Sequence, residues 1–363
     1  MLPSPNKMSE LETTAGGVIV CGFDGLEAPP SLQRWIEDEL VAGLILFKRN
    51  IADMEQVESA IRSCNERSKA SLPILMSVDQ EGGRVARLGP PVVRLPPMRS
   101  LARAGDVDLT RDAGCALGRQ LRALGFNLDF APVLDVDTNP DNPVIGDRSF
   151  GDTPGLVIQH ALAFADGLHA GGVLSCGKHF PGHGDTDLDS HLALPALRHH
   201  RARLDEVELA PFRAAVGRLP SLMTAHVVFE ALDPGVPATM SRRVLDDLLR
   251  TDIGYDGAVF SDDLEMKAVS DRYPIEEAGV LAIESGCDLL LVCSDLDAAG
   301  RLRENLTKEA ERSRAFRSRL EEARARADQL RRQTTKLAPP VSIENALHHA
   351  QAKAVEERLS HLV

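Results

Sequence analysis

The sequence predicts a (β/α)8 barrel, and three observations lead there. Short apolar runs alternate with longer helix-like segments along most of the chain. The runs are rich in Val, Ile, Leu and Phe without clean polar alternation, as expected of parallel strands buried on both faces. Titratable residues recur just past the ends of these runs, the level at which barrel enzymes keep their chemistry. Eight such units fit a closed barrel better than a doubly wound sheet, and no GxGxxG follows the first run to suggest a dinucleotide fold.

In chain order the predicted strands are 17–22, 43–48, 73–79, 127–134, 172–177, 221–228, 257–261 and 288–292. Helical patterns fall between them at 54–69, 108–124, 156–170, 203–216, 242–249 and 275–284. From about 297 to 333 the chain becomes rich in Arg, Glu, Ala and Leu, with i,i+4 charge pairings that suit exposed helix. Ala338-Pro339-Pro340 interrupts it, and 343–362 reads as a final amphipathic helix. The predicted organisation is an N-terminal extension (1–15), a catalytic barrel (16–296) and C-terminal helices (297–363) that cover or extend it. A partner-binding role for those helices is the alternative, and no residue there names a partner.

The bulk properties exclude several function classes. A formal net charge of -13 on 363 residues argues against binding nucleic acid or an anionic membrane. A carboxylate-bearing small substrate remains compatible, because one or two local Arg or Lys residues suffice to hold it. No apolar run approaches the ~20 residues needed to span a bilayer. The N-terminal stretch lacks the basic and apolar regions of a signal peptide, so a cytoplasmic location is expected. The six cysteines show no CxxC pair and read as reduced core residues.

Reading past each strand gives Asp79 within Asp79-Gln80-Glu81-Gly82-Gly83-Arg84, then Asp135, Lys178-His179, His226, Asp262-Asp263 and Ser294-Asp295. The densest cluster is the glycine- and proline-bearing loop from Lys178 through His183, Asp185, Asp187 and Asp189 to His191. It admits two chemical readings. His183, Asp185, Asp187 and His191 could ligate a metal, although the helical Glu of HExxH is missing. Alternatively, Asp189 orients and charges His191 as a general acid/base. A structural loop of satisfied polar groups is the third possibility. The second cluster is Ser261-Asp262-Asp263-Leu264-Glu265-Met266. Adjacent residues on a strand face opposite ways, so one carboxylate points into the pocket, where it could attack an anomeric carbon. Asp263 could instead cap the following helix. Structural roles are also open for the others: Asp79 holding Arg84 or Arg87, Arg148 bracing a loop near Asp147, His183 shaping its own loop, and His199-His200 lying on the surface.

Three segments together resemble glycoside hydrolase family 3: KHFPGHGDTDLDSH (178–191), SDDLEM (261–266) and VDQEGGRVAR (78–87). They are most similar to its single-domain bacterial β-N-acetylhexosaminidases of cell-wall recycling, over residues 16–295. The resemblance implies that Asp262 is the nucleophile and that Asp189 and His191 form the acid/base dyad. It implies substrate contacts at Asp79, Arg87, Arg148, Lys178, His179 and His226, and a mechanism without metal or other cofactor. By the same analogy the substrate is a muropeptide carrying N-acetylglucosamine β-1,4-linked to anhydro-N-acetylmuramic acid, removed with retention. The protein is then expected to be a monomer or a weak homo-oligomer with only this small glycan as partner. Family 3 β-glucosidases usually draw a carboxylate acid from a second domain and lack the His-bearing loop. A glycoside phosphorylase, a β-glucosidase, a metal-dependent hydrolase and a non-catalytic sugar-binding barrel remain the rivals.

Overall fold

The computed structural model describes residues 9–190 and 192–362, so the acid/base candidate His191 lies outside the described residues. Eight strands close into a barrel: β1 (Ile19–Cys21), β2 (Gly43–Leu46), β3 (Leu75–Val78), β4 (Leu128–Asp129), β5 (Leu174–Phe180), β6 (Ser221–Thr224), β7 (Ala258–Asp263) and β8 (Leu289–Val292). Each is paired in parallel with its sequence neighbours, and β1 pairs with both β2 and β8 to complete the ring.

The period of two along each strand sorts side chains into two cores. Val20, Ile45, Leu75, Phe130, Cys176, Met223, Phe260 and Leu291 belong to a cluster that fills the barrel. Their neighbours Ile19, Leu44, Met76, Val78, Leu222, Val259 and Leu290 belong to the larger cluster shared with the surrounding helices. Phe130 and Phe260 meet edge to face inside the barrel, ring centroids 5.2 Å apart. A charge placed one repeat above this apolar filling therefore sits at the barrel mouth.

Several predicted boundaries shift. Strand β5 runs three residues beyond the expected 177 to Phe180, carrying Lys178 and His179 inside the strand. Strand β6 ends at Thr224, and Val228–Phe229 pairs instead with Ala196–Leu197 in a separate two-stranded sheet. The predicted helix 242–249 is a wide-turned π-helix, Arg243–Asp252.

The charged C-terminal stretch is two helices, Leu296–Arg312 and Arg314–Thr334, separated by Ser313, whose hydroxyl accepts the Phe316 N–H as an N-cap. The second is not simply an exposed helix. Phe316, Leu320, Ala323, Ala327 and Leu330 make a buried stripe at helical spacing. Ala327 and Leu330 join the barrel-filling cluster, and Arg331 donates to the carbonyls of Leu72 and Pro73 ahead of β3, so this helix closes the barrel floor. The predicted last helix is two pieces, Ile343–Leu347 and Ala350–Leu359. All six cysteines are buried and unpaired. Among the described residues no helix is long and apolar enough to cross a membrane.

Candidate active site

A cleft of about 260 Å³ opens at the C-terminal end of the barrel, lined among others by Asp79, Glu81, Arg87, Arg148, Lys178, His179, Asp262 and Asp263. Larger hollows occur elsewhere on the molecule; one beside the cleft shares only Arg87 with these groups, and three others contain none of them.

One wall is a buried ionic network on β3 and β5. Lys178 Nζ lies 2.8 Å from Asp79 Oδ1 and 2.6 Å from Glu81 Oε1. Arg148 grips Glu81 with two parallel bonds, Nε to Oε2 at 2.9 Å and Nη2 to Oε1 at 2.8 Å, the fork geometry that suits a carboxylate. Arg87 Nη2 reaches Asp79 Oδ2 at 3.2 Å. Burial alone would raise the Asp79 and Glu81 carboxyls. Lys178 and Arg87 hold Asp79 below its usual range, and Arg148 with Lys178 does the same for Glu81. The converse holds for Lys178: burial disfavours its charge, yet Asp79 and Glu81 keep it firmly protonated. This wall thus presents fixed charges rather than titrating ones.

His179 is oriented from behind. Its Nδ1 lies 2.7 Å from Asp135 Oδ2, which turns Nε2 toward Arg148, 3.5 Å away. Burial opposes ionisation of Asp135, but His179 outweighs it and holds the carboxyl below its usual range. Asp135 also accepts the His183 backbone N–H at 2.6 Å, so one carboxylate anchors both the strand end and the start of the loop.

The loop carrying the proposed dyad is braced at several points. His183 is buried, with Thr186 Oγ1 2.7 Å from Nδ1 and Ser190 Oγ 3.0 Å from Nε2. Burial, reinforced by His179, pushes its pKa down to about 4, so the ring is a neutral bridge. Asp185 accepts from Thr138 and pairs with His199, and these contacts engage two members of the suggested metal set with protein groups instead. The Ser190 carbonyl accepts the Ala268 N–H at 3.2 Å, and Ala268 belongs to the segment directly after β7. Asp189 itself is partly exposed, and its carbonyl accepts the N–H groups of Leu192 and Ala193.

On the opposite wall, Asp262 continues the inward series Ala258, Phe260. Its Oδ1 accepts the Asp263 N–H at 2.8 Å. Asp263 caps no helix, contrary to expectation. Its carboxylate accepts the Glu265 N–H at 3.1 Å and the Cys293 N–H at 3.3 Å, tying β7 to β8 where their register shifts. Burial, with Glu265 nearby, pushes the Asp263 pKa up to about 7. His226 lies behind the cleft wall, fully buried, with Nδ1 2.8 Å from Thr239 Oγ1 and Nε2 3.0 Å from the Asp263 carbonyl. It supports the strand end that bears Asp262.

Other structural roles fall differently from expectation. Arg84 holds the 144–147 loop, donating to the Val144 and Ile145 carbonyls and pairing with Asp147 at 3.4 Å, while Arg148 shares the Val144 carbonyl at 3.2 Å. His199 is a brace for Asp185 rather than a free surface residue. Glu81 and Asp135 stood at the strand-end level in the sequence without an assigned role. Only their burial against Arg148, Lys178 and His179 reveals one.

The glycosyl hydrolase family 3 N-terminal domain matches residues 6–330. The chain belongs to glycoside hydrolase family 3. This family 3 chain is similar to β-hexosaminidases of Idiomarina loihiensis, 38% identical over 275 residues covering 75% of this chain and 82% of that protein. It is also similar to one from Alkalilimnicola ehrlichii, 39% identical over 289 residues, covering 78% and 82%. Among solved structures it superposes on a family 3 β-N-acetylglucosaminidase from Paenibacillus sp. str. FPU-7 with a TM-score of 0.92 and 40% identity, covering 98% of this chain and 69% of that one. NagZ from Neisseria gonorrhoeae, in complex with N-trifluoroacetyl-D-glucosamine, gives a TM-score of 0.79 at 30% identity, covering 96% and 98%. The protein is therefore a glycoside hydrolase.

Proposed function

We propose that this chain is a retaining exo-β-N-acetylglucosaminidase that removes terminal N-acetylglucosamine from muropeptides in the cytoplasm, using Asp262 as nucleophile and Asp189–His191 as acid/base. The observation that carries the reading is an asymmetry of the cleft. Asp79 and Glu81 are neutralised by Lys178, Arg87 and Arg148, whereas Asp262, across the barrel, has no ion pair with a described residue. A carboxylate that accepts one backbone N–H among the described residues keeps lone pairs available for attack on carbon.

In the first step Asp262 attacks C1 as the bond to the glycosidic oxygen breaks, and His191 in its imidazolium form delivers a proton to that oxygen. In the second, neutral His191 takes a proton from water as the water oxygen displaces Asp262 from C1. The sugar leaves with its original β configuration and the aglycone as a free alcohol. Asp189 holds the imidazole and raises its proton affinity. Asp79 accepts from sugar hydroxyls, Lys178, Arg87 and Arg148 donate to sugar oxygens, and His179 lines the same wall. The pairing of Ser190 with Ala268 gives the dyad loop and the nucleophile's strand a common anchor.

The β-hexosaminidase relatives and the N-acetylglucosaminidase neighbours support an acetamido sugar as substrate. The test is hydrolysis of 4-nitrophenyl N-acetyl-β-D-glucosaminide beside the matching β-D-glucoside in phosphate-free buffer. Strong preference for the acetamido sugar is expected. Preference for the glucoside would overturn the substrate class, and activity only on adding phosphate would make the chain a phosphorylase.

A further inference from the structure

Beside the sugar cleft lies a second hollow of about 300 Å³, formed between Lys48 and the loop 80–95. The two cavities share Arg87, which holds Asp79 on the cleft side and packs over Phe47, its guanidinium carbon 5.4 Å from the ring centroid. The Arg87 Nε is buried without a hydrogen-bond partner among the described residues. The ionisable side chains lining this hollow are Lys48, Arg87 and Arg94, with no carboxylate among them. Lys48 and Arg94 are exposed, and neither is ion-paired with a described residue. In a chain of net charge -13, a hollow whose charged lining residues are all cations is a feature that asks for an anion.

The barrel fixes which part of a bound sugar faces it. Strands β3 and β7 stand on opposite sides of the closed ring, so Asp79 and Arg87 face Asp262 across the mouth. In a pyranose C4 lies opposite C1, and C6 hangs from C5 on that same edge. A sugar whose C1 meets Asp262 therefore turns its C4–C6 edge toward Asp79, Arg87 and the hollow beyond. An exo-acting site leaves the C4 hydroxyl unsubstituted, which leaves O6 as the attachment point for an anion.

We propose that the hollow is an anion subsite that takes a phosphate ester on O6 of the bound N-acetylglucosamine, so that 6-phosphorylated N-acetylglucosaminides are bound in addition to the unmodified sugar. The inference rests on the N-acetylglucosaminidase reading above. A phosphate monoester carries about -1.5 to -2 charge near pH 7 and offers three strong acceptor oxygens, matching an Arg fork and a Lys ammonium.

The test is calorimetric titration of N-acetylglucosamine and N-acetylglucosamine 6-phosphate into the full chain, in phosphate-free buffer at low salt. The 6-phosphate is expected to bind about tenfold more tightly, with the advantage shrinking as salt screens the charges. The Lys48→Gln/Arg94→Gln double variant, whose exposed positions spare the core, should lose that advantage. Equal or weaker binding of the phosphorylated sugar by the unmodified chain overturns the subsite, as does an advantage that survives in the double variant. Hydrolysis of 4-nitrophenyl N-acetyl-β-D-glucosaminide separates the two claims. A chain that cleaves it yet binds both sugars alike keeps its proposed activity and loses the subsite. A chain that fails to cleave it but favours the 6-phosphate keeps the subsite and loses the activity.

Discussion

Replacing Glu81 with Gln removes one negative charge from the centre of the ionic wall while preserving shape. The Glu81 side chain is 1% exposed and receives Arg148 at 2.8 and 2.9 Å and Lys178 at 2.6 Å. Removing one partner of a buried pair typically costs ~3–5 kcal/mol, because the other charge stays buried and uncompensated. Lys178 keeps Asp79 at 2.8 Å and Arg148 keeps the Val144 carbonyl at 3.2 Å, so about 3 kcal/mol is expected, the lower end of that range. A matched control is Glu58→Gln, whose pair with Arg62 at 2.7 Å lies on an exposed helix face and should be worth less than ~1 kcal/mol. Urea unfolding followed by circular dichroism compares the two. The same variant should raise KM for 4-nitrophenyl N-acetyl-β-D-glucosaminide, since two cations of the proposed sugar site lose their common anchor. If Glu81→Gln costs no more than Glu58→Gln, the wall is not the preorganised unit described here.

Two further outcomes follow from the site. His191→Ala should slow glycosides with poor leaving groups far more than 4-nitrophenyl substrates, by ~10²–10⁴-fold for a lost general acid; equal losses on both series would remove the acid role. His183, with its pKa lowered from 6.5 to about 4 by burial, binds its proton less readily folded than unfolded. Its contribution to stability is therefore complete above the unfolded value and declines as pH falls from about 6.5 toward 4. The decline is bounded by roughly 3 kcal/mol at 1.36 kcal/mol per unit. Denaturant unfolding between pH 7 and 4.5 checks it: His183→Asn should flatten that part of the profile, and an unchanged slope would contradict the buried neutral ring.

The sequence revealed the barrel because buried parallel strands leave continuous apolar runs, and it pointed to the candidate site because strand ends are where a barrel exposes charge. Asp79, Lys178, His179 and Asp262 were legible on that basis, and all four line one cleft. Side-chain partners were not, because they connect residues far apart in the chain. Glu81 finds Arg148 only when β3 stands beside β4 and the loop that follows it, and Asp185 finds His199 only across the fold of the 181–199 segment. Asp263 looked like a helix cap from its position before Leu264-Glu265, but its carboxylate turns instead to Cys293, just past the end of the neighbouring strand. For the Arg- and Glu-rich C-terminal stretch the sequence predicts helices that cover or extend the barrel, but it hides their packing face for a compositional reason. Its buried stripe includes Ala323 and Ala327, whose small side chains give a weak hydropathy signal yet let the helix sit close beneath the barrel.

The most direct test of the account is to trap the sugar on the enzyme. Incubation with 5-fluoro-N-acetyl-β-D-glucosaminyl fluoride slows release of the second step more than formation of the first, and peptide mass mapping then locates the adduct. One glycosyl group is expected on the peptide containing Asp262, absent from an Asp262→Asn variant that otherwise folds normally. A sugar attached to any other residue, or turnover with no covalent species and an α-configured first product, would contradict it.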